Sequence, residues 1–215
     1  MPGVDVFDRL AHEYDQVVRP ASSALSCRAR DAATATAEGW VGVGIGAGTG
    51  RFALRLGALL GIEPSRPTAR RGLRTVQAVG EHLPLPDSRF DFALLVTVVS
   101  FVADVLSLLR ETARILKSGG RVVIGLIDLN TSLGRLYESR HESNPFYRHA
   151  RFCKASEIIG MLGRIGFREP RAFQVMIGLP GEAPNGDVAV RPCYGGGGFV
   201  GVGAVWTASL SPPES

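Results

Sequence analysis

The sequence predicts an α/β fold, with a doubly wound, mostly parallel seven-stranded sheet and helices on both faces. Its 215 residues suit one domain, which we place at 1–210, followed by a frayed Ser/Pro tail at 211–215. From Trp40 onward, short apolar runs alternate with helical segments, which is the order that builds a parallel sheet. The run 92–96 is apolar throughout, as expected of a strand that helices cover on both faces.

The predicted elements follow one another in a regular order. Residues 1–39 are expected to form N-terminal helices, since apolar residues recur there at helical spacing behind Asp5, a suitable N-cap. A helix between the fourth and fifth strands can be capped by Asp104, and a later helix opens at Ser156 and ends at Gly166. The predicted strands span residues 40–45, 59–63, 75–79, 90–96, 121–127, 173–179 and 199–206.

A lid-like insertion is predicted at residues 130–155, after the fifth strand. Its part 130–151 is polar, aromatic and poorly periodic, which is typical of a functional segment over the end of a sheet. We expect this part to act as a lid over the acceptor and to be mobile when no ligand is bound.

Composition and charge exclude several classes of protein. Apolar residues make up 45% and charged residues 20%, so the chain is not wholly disordered. The formal net charge is +4, but the cations are spread along the chain, which favours a solvated basic surface over a nucleic-acid interface. No apolar run in the sequence approaches the ~20 residues of a membrane span. The first residues also lack the basic and then apolar order of a secretory signal.

The cysteine and histidine spacings predict no metal site. Cys27, Cys153 and Cys193 lie far apart, and the four histidines have no ligand-like spacing. An odd number of cysteines without a disulfide framework suits a reducing compartment. We therefore expect a cytoplasmic protein, and the sequence leaves its oligomeric state open.

The glycine-rich stretch 41–50 lies between a predicted strand and a helix that starts near Arg51. Glycines let the backbone turn sharply and come close to a ligand, and the helix that follows presents free N–H groups. Glu63 ends the next predicted strand, thirteen residues after Gly50, where a carboxylate can accept hydrogen bonds from both hydroxyls of a ribose. The pattern predicts a nucleoside-containing ligand that lies across the strand ends.

Two registers of this loop compete. Gly42, Gly44 and Ala47 fit the dinucleotide fingerprint of an NAD-dependent oxidoreductase, but that register leaves only residues 40–41 as the preceding strand. The register that starts at Gly46 leaves a strand of ordinary length before the loop, and we favour it. The oxidoreductase stays as an alternative.

Five motifs then occur in order along the chain. They read GAGTGRFA at 46–53, GIEPS at 61–65, GEHLPLPD at 80–87, FDFA at 90–93 and ILKSGG at 115–120. Together they resemble the class I S-adenosylmethionine-dependent methyltransferases, specifically the type 11 group that includes ubiquinone and menaquinone methyltransferase-like proteins. The resemblance covers about residues 7–166. It implies S-adenosylmethionine as the cofactor and a Rossmann-like methyltransferase fold whose last strand is antiparallel.

The resemblance assigns most of the cofactor site to the first two motifs. Glu63 would hold the ribose hydroxyls, and Pro64 would lie along the adenine. Tyr14, before the sheet, matches a position that covers the cofactor, although by itself such a residue is more often a core aromatic residue. The loop residues that would line the methionine and ribose part are Gly46, Ala47, Gly48, Thr49 and Gly50.

The remaining cofactor positions follow the third and fourth predicted strands. Gly80 and Glu81 would flank the adenine edge, and Glu81 could alternatively serve as a turn or cap residue. Thr97, Val98 and Phe101, just past the fourth strand, would close the pocket beneath the sulfonium.

At three places the sequence departs from the family pattern. The family usually has Glu or Asp two residues before the first loop glycine, where it helps to place the cofactor's amino end, and this chain has Gly44 there. The helix at 65–72 is short, and Val79 stands where a polar neighbour of the adenine is common. A cofactor-binding protein with weak or no methyltransferase activity is therefore an alternative.

The predicted chemistry requires no particular catalytic side chain. Methyl transfer from a sulfonium is an in-line displacement, so aligning the acceptor and excluding water can carry most of the rate. A base is needed only if the acceptor must lose a proton. His141 and Tyr147 are weak candidates, and His141 beside Glu142 reads equally as a surface residue.

The acceptor is predicted to be a small molecule. The fourth strand is followed by Thr-Val-Val-Ser at 97–100, and not by the Asn/Asp-Pro-Pro-aromatic sequence of enzymes that methylate base nitrogens. The sequence also lacks a basic stripe with interleaved aromatic residues, which disfavours nucleic acid.

Overall fold

An eight-stranded sheet organises the computed structural model, which describes residues 39–65, 73–175 and 190–208. The strand order is β3-β2-β1-β4-β5-β8-β6-β7; β1 to β5 run parallel, and β8 is antiparallel to both β5 and β6. The predicted fold class is therefore confirmed. The strands are β1 Gly42–Ile45, β2 Ala58–Ile62, β3 Arg74–Val76, β4 Phe90–Val96, β5 Leu116–Ile127, β6 Phe167–Val175, β7 Val190–Pro192 and β8 Phe199–Trp206.

Three strands differ most from the sequence prediction, each for a local reason, and β3 ends at Val76 where the prediction extended to residue 79. β5 begins at Leu116 rather than at residue 121, because Leu116 already pairs with Phe90 before an irregularity in the register. β6 begins at Phe167, six residues earlier than predicted, in a polar stretch that forms a bulge between Arg168 and Arg171. β7, an additional short strand, pairs with the end of β6. Polar and short strands lack the apolar run that the prediction used.

Two of the helices cover one face of the sheet. These are α2 (Val105–Ile115) and α4 (Ala155–Ile165), and their buried residues pack with Ile45, Leu95 and Ile124 of the strands. Asp104 caps α2 as predicted, with its carboxylate accepting a hydrogen bond from Leu106 N at 2.9 Å.

The other face is covered by α1 (Arg51–Arg55) and by the insertion, which contains α3 (Ser132–Ser139). Strand residues such as Leu94 and Val123, which alternate with those of the first face, pack there against Tyr147 and Phe152 of the insertion. The insertion thus contains more regular structure than its composition indicated. The sequence did not predict α3, because this helix makes only about two turns and its periodicity is too brief to recognise.

Several predictions lie outside the described residues. They are the helices before residue 39 with Tyr14, most of the segment 65–72, the end of the predicted sixth strand and the tail 211–215. In the part of the chain that the structure describes, no helix is long and apolar enough to cross a bilayer.

Candidate cofactor site

The glycine loop lies at the carboxyl end of β1, as the favoured register predicts. Gly46, Gly48 and Gly50 all have positive φ angles, of 64°, 54° and 77°, which L side chains rarely adopt. At Gly46 a Cβ would also lie 2.5 Å from the Val98 side chain. Gly42 and Gly44, which the dinucleotide register would place in the loop, are paired residues of β1.

Glu63 joins this loop to the end of β2. Its carboxylate accepts a hydrogen bond from Gly48 N at 2.8 Å and another from Ser65 N at 2.9 Å, and the residue is only 8% exposed. These two contacts orient the carboxylate. Pro64 follows directly, and its carbonyl accepts a hydrogen bond from Gln77 Nε2 at 3.0 Å.

An open cleft of about 440 Å³ extends from the loop to the end of β4. Gly46, Ala47, Gly48, Thr49 and Thr97, all predicted site residues, line it together. Of the other predicted residues, Glu63 reaches it through Gly48, and Tyr14 lies outside the described residues. The cleft lining does not include Gly50, Pro64, Gly80, Glu81, Val98 or Phe101. The sequence interpretation did not assign the other lining residues, which are Gly44, Ile45, Arg51, Phe52, Ala53, Leu94 and Val96.

Thr97 has a strained backbone at the floor of this cleft. Its φ is 61°, a conformation that costs a residue other than glycine on the order of 1–3 kcal/mol. Two hydrogen bonds of 2.7 Å hold it there, from Thr97 N to the Gly125 carbonyl and from its hydroxyl to the Val96 carbonyl. Such strain is typical of functional sites, where the surrounding structure maintains it.

Gly80 and Glu81 have packing contacts that the sequence did not reveal. A Cβ at Gly80 would lie 2.5 Å from Leu108 of α2, so the glycine permits this close approach. Glu81 Oε1 accepts a hydrogen bond from Ala103 N at 2.8 Å, and its Oε2 is buried without a hydrogen-bond partner among the described residues. Their adenine roles stay predictions.

An ion-pair network fixes the loop that follows Gly80. Arg114 of α2 donates to the Leu83 carbonyl at 2.9 Å and the Leu85 carbonyl at 2.8 Å, and it pairs with Glu111 and Asp87. The Arg114 guanidinium holds the pKa of Glu111 below its usual value, and the two carboxylates raise the pKa of Arg114. The network anchors the GEHLPLPD motif on α2.

Four aromatic rings form a cluster beside the cleft. Phe101 stacks on Tyr147 at a centroid distance of 6.3 Å, and Tyr137 meets the Tyr147 ring edge-on at 4.9 Å. Phe152 completes the cluster, 5.7 Å from Tyr147. Phe52 and Val96 line the cleft and also pack against the core of this face, so cleft and cluster are continuous.

The two weak base candidates are poorly placed for proton transfer. Tyr147 is only 2% exposed, at the centre of the aromatic cluster. Burial raises the pKa of its neighbour Tyr137, which disfavours the phenolate. His141 lies after α3 with its Nδ1 2.6 Å from the Glu138 carbonyl, so one ring nitrogen is engaged. Within the described ranges, no three His, Cys, Asp or Glu side chains gather as a metal site.

Asp128 is a structural residue that sequence reasoning missed. It follows β5 and is fully buried, and its Oδ1 accepts hydrogen bonds from Asn130 N at 3.1 Å and Ala155 N at 3.2 Å. Among the described residues its Oδ2 has no hydrogen-bond partner. One carboxylate thus ties together the two ends of the insertion. An acidic residue directly after an apolar strand was the available signal.

The space beside Gly44 is occupied by α1. A Cβ at Gly44 would lie 2.9 Å from the Ala53 Cβ and 3.5 Å from the Ala47 Cβ. These are short, inflexible side chains, so a larger residue at 44 requires α1 to move. The glycine that replaces the family's usual acidic residue is therefore matched to its surroundings.

Comparisons with known proteins agree with this geometry. A family model described as a methyltransferase domain matches residues 41–124. An uncharacterised protein of Methanocaldococcus jannaschii is 35% identical over 205 residues, which cover 94% of this chain and 98% of that protein. An uncharacterised protein of Mycobacterium tuberculosis is 38% identical over 163 residues, 73% of this chain but only 57% of that longer protein.

A solved structure provides the corresponding comparison in three dimensions. It is a SAM-dependent methyltransferase from Thermotoga maritima, described as a possible histamine N-methyltransferase. The two chains are 35% identical, with a TM-score of 0.83 over 94% of this chain and 99% of that one. At this identity and coverage the likeness extends across the whole fold.

Proposed function

Since this chain belongs to the class I S-adenosylmethionine-dependent methyltransferases of the type 11 group, we propose that it transfers a methyl group from S-adenosylmethionine to a small-molecule acceptor. The observation that carries the proposal is the bond from Gly48 N to the buried Glu63 carboxylate. It places a group suited to ribose hydroxyls directly at the glycine loop.

The residues at the cleft fit this cofactor. At Gly46 the loop leaves no room for a side chain, since a Cβ there would meet Val98, whereas a Cβ at Gly48 would meet nothing within 4 Å. Glu63 is held in one orientation by two N–H groups, and its carboxylate would accept hydrogen bonds from the ribose hydroxyls. Thr97 would close the floor of the site, and Pro64 would lie along the adenine.

In this proposal the side chains of the protein mainly position the cofactor and the acceptor. S-adenosylmethionine, when bound, supplies a methyl group activated on a sulfonium. The cleft walls formed by Phe52, Leu94 and Val96 are apolar and would exclude water once ligands fill the cleft. The insertion covers the same face of the sheet and would hold the acceptor. Alignment of this kind can lower a barrier by about 7–11 kcal/mol without an acid or base.

Small amines are the first acceptor class to test. The Thermotoga maritima relative is described as a possible histamine N-methyltransferase, and its identity to this chain makes a shared acceptor class a reasonable starting hypothesis.

Calorimetric titration tests the cofactor assignment. The protein is titrated with S-adenosylhomocysteine and, separately, with NAD. Binding of S-adenosylhomocysteine in the micromolar range supports the proposal, whereas binding of NAD alone overturns it and favours an oxidoreductase.

A second candidate function is cofactor binding without methyl transfer, and Gly44 is the observation that favours it. Incubation with S-adenosylmethionine and a panel of amines, histamine included, separates the two, with methylated product detected by mass spectrometry. Glu63→Gln provides the matched inactive control. Binding of S-adenosylhomocysteine without product from any acceptor would favour the binder.

A further inference from the structure

We propose that the turn 97–101 couples the cofactor cleft to the insertion, with Phe101 as the positioning residue, so that a bound cofactor fixes the wall of the acceptor side. The inference rests on the proposed function, because it takes S-adenosylmethionine or its product as the ligand. It adds an order to the site, since the wall that would hold the acceptor becomes rigid only after the cofactor has bound.

The first contact joins the turn 97–101 to the glycine loop. Thr97 lines the cleft together with Gly46 and Gly48. The next residue, Val98, packs so closely on the loop that a Cβ built at Gly46 would lie 2.5 Å from its side chain. A ligand that fills the cleft would therefore contact both the loop and the start of the turn.

Hydrogen bonds within the turn make it one short unit. Thr97 N donates to the Gly125 carbonyl of β5 at 2.7 Å, which fixes the start of the turn on the sheet. Ser100 N donates to the Thr97 carbonyl at 3.3 Å, and Phe101 N donates to the Val98 carbonyl at 2.9 Å. Because these bonds follow one another along five residues, a constraint at the cleft end also restrains the other end.

Two contacts join the other end of the turn to the insertion. The Ser100 carbonyl accepts a hydrogen bond from Arg151 N at 2.7 Å. The Phe101 ring stacks on Tyr147 with an interplanar angle of 20°. Tyr147 is only 2% exposed and lies at the centre of the aromatic cluster. The turn therefore supports the last part of the insertion through both its backbone and a ring.

The first part of the insertion is anchored without the turn. The Thr131 hydroxyl donates to the Asp128 carbonyl at 2.7 Å and accepts a hydrogen bond from Gly134 N at 3.0 Å. Leu133 packs against Gly198, where a Cβ would meet its side chain. Because these contacts do not involve the turn, a bound cofactor should restrain the end of the insertion more than its start.

Hydrogen exchange followed by NMR tests the proposal on the whole chain, with and without saturating S-adenosylhomocysteine. The reporter is the amide of Arg151, and the control is the amide of Arg135, which donates to the Thr131 carbonyl at 3.0 Å. We expect exchange to slow at least about fivefold more at Arg151 than at Arg135, the lower end of ordinary coupling between sites. Comparing two amides removes the general protection that any ligand gives by stabilising the folded state.

A pair of variants assigns the coupling to the Phe101 ring. Phe101→Leu removes the stacked ring from the turn, and most of the extra protection of Arg151 should be lost. Phe152→Leu makes the same change in the same cluster, 5.7 Å from Tyr147 but outside the turn, and should keep the extra protection. Thermal unfolding checks that each variant is folded, and the wild-type comparison stands without either of them.

The outcomes separate this inference from the proposed function. If S-adenosylhomocysteine binds and the two amides slow equally, the coupling is overturned and the cofactor assignment stands. If the extra protection of Arg151 persists in Phe101→Leu, or is lost to the same extent in Phe152→Leu, the role of Phe101 is overturned. If S-adenosylhomocysteine does not bind at all, the proposed function and the inference fall together.

Discussion

The proposed cofactor side, at the cleft, and the proposed acceptor side, at the aromatic cluster beside it, are built from different materials. The cofactor side consists of backbone: three glycines at positive φ and N–H groups aimed at one buried carboxylate, Glu63. The acceptor side consists of side chains: four aromatic rings contributed by α3, its flanking loops and the turn after β4. A backbone site recognises what every family member shares, whereas a side-chain site can change its ligand by substitution.

The largest expected effect on stability and on cofactor binding comes from a substitution at Gly46, on the backbone-built side. Gly46→Ala forces a Cβ into a left-handed backbone and to within 2.5 Å of Val98. We expect the free energy of unfolding to fall by about 2–4 kcal/mol, from backbone strain and overpacking together, and S-adenosylhomocysteine binding to be lost. Chemical denaturation measures the first effect and calorimetry the second.

Gly48→Ala is the matched control for that experiment. Gly48 also has a positive φ, but nothing lies within 4 Å of a Cβ built there. Its substitution should cost only the backbone strain, about 1–2 kcal/mol. Equal losses of stability in the two variants would contradict the role given to the Val98 contact.

Glu63→Gln should weaken S-adenosylhomocysteine binding by about 1–3 kcal/mol, the cost of replacing a charge-assisted acceptor. On the acceptor side, Tyr137→Phe should leave the affinity for S-adenosylhomocysteine unchanged and alter only the methylation of the acceptor. Calorimetry on both variants tests whether the two sides are separable. A Glu63→Gln protein with wild-type affinity would remove Glu63 from the site.

Gly44→Glu sharpens the comparison by adding a side chain to a site made of backbone. Because a Cβ at position 44 meets Ala53, we expect the variant to lose about 1–3 kcal/mol of stability through overpacking. The double variant Gly44→Glu/Ala53→Gly should recover part of that loss by making room. Higher S-adenosylhomocysteine affinity with unchanged stability in the single variant would show that the site accepts a carboxylate without rearrangement.

The smallest expected effect concerns dynamics. Hydrogen exchange should be faster in residues 130–151 than in the glycine loop when no ligand is present, and it should slow in both when S-adenosylhomocysteine and an acceptor bind. If protection appears in the loop but not in 130–151, the insertion is not a lid.

The same difference between the two sides explains which parts of the molecule the sequence could predict. The glycine loop was predictable because its function depends on consecutive residues whose conformations are fixed locally. The aromatic cluster was not, because Phe101 and Tyr147 meet only through the tertiary packing of distant segments. The contact between Gly44 and Ala53 likewise depends on how closely α1 approaches β1, which no local pattern encodes.

Strand prediction had a similar limit. The apolar run of β4 was recognised over its full length, whereas the first half of β6 was missed, because Arg168 and Arg171 flank a bulge rather than alternate with apolar residues. Whether such a segment forms a strand depends on the strands that it pairs with, and not on its own composition.

The carboxylate of Asp128 marks the place where one insertion could be replaced by another. Because one side chain receives the backbone N–H groups at both ends of the insertion, the chain leaves β5 and enters α4 at nearly the same place. Doubling the length of such a loop costs only about 0.6 kcal/mol in closure entropy. Evolution, or a protein engineer, can therefore replace the residues between those anchors with a segment of different length and chemistry while β5 and α4 stay in register. If the insertion holds the acceptor, as proposed, a new acceptor specificity requires a new insertion and leaves the rest of the fold unchanged.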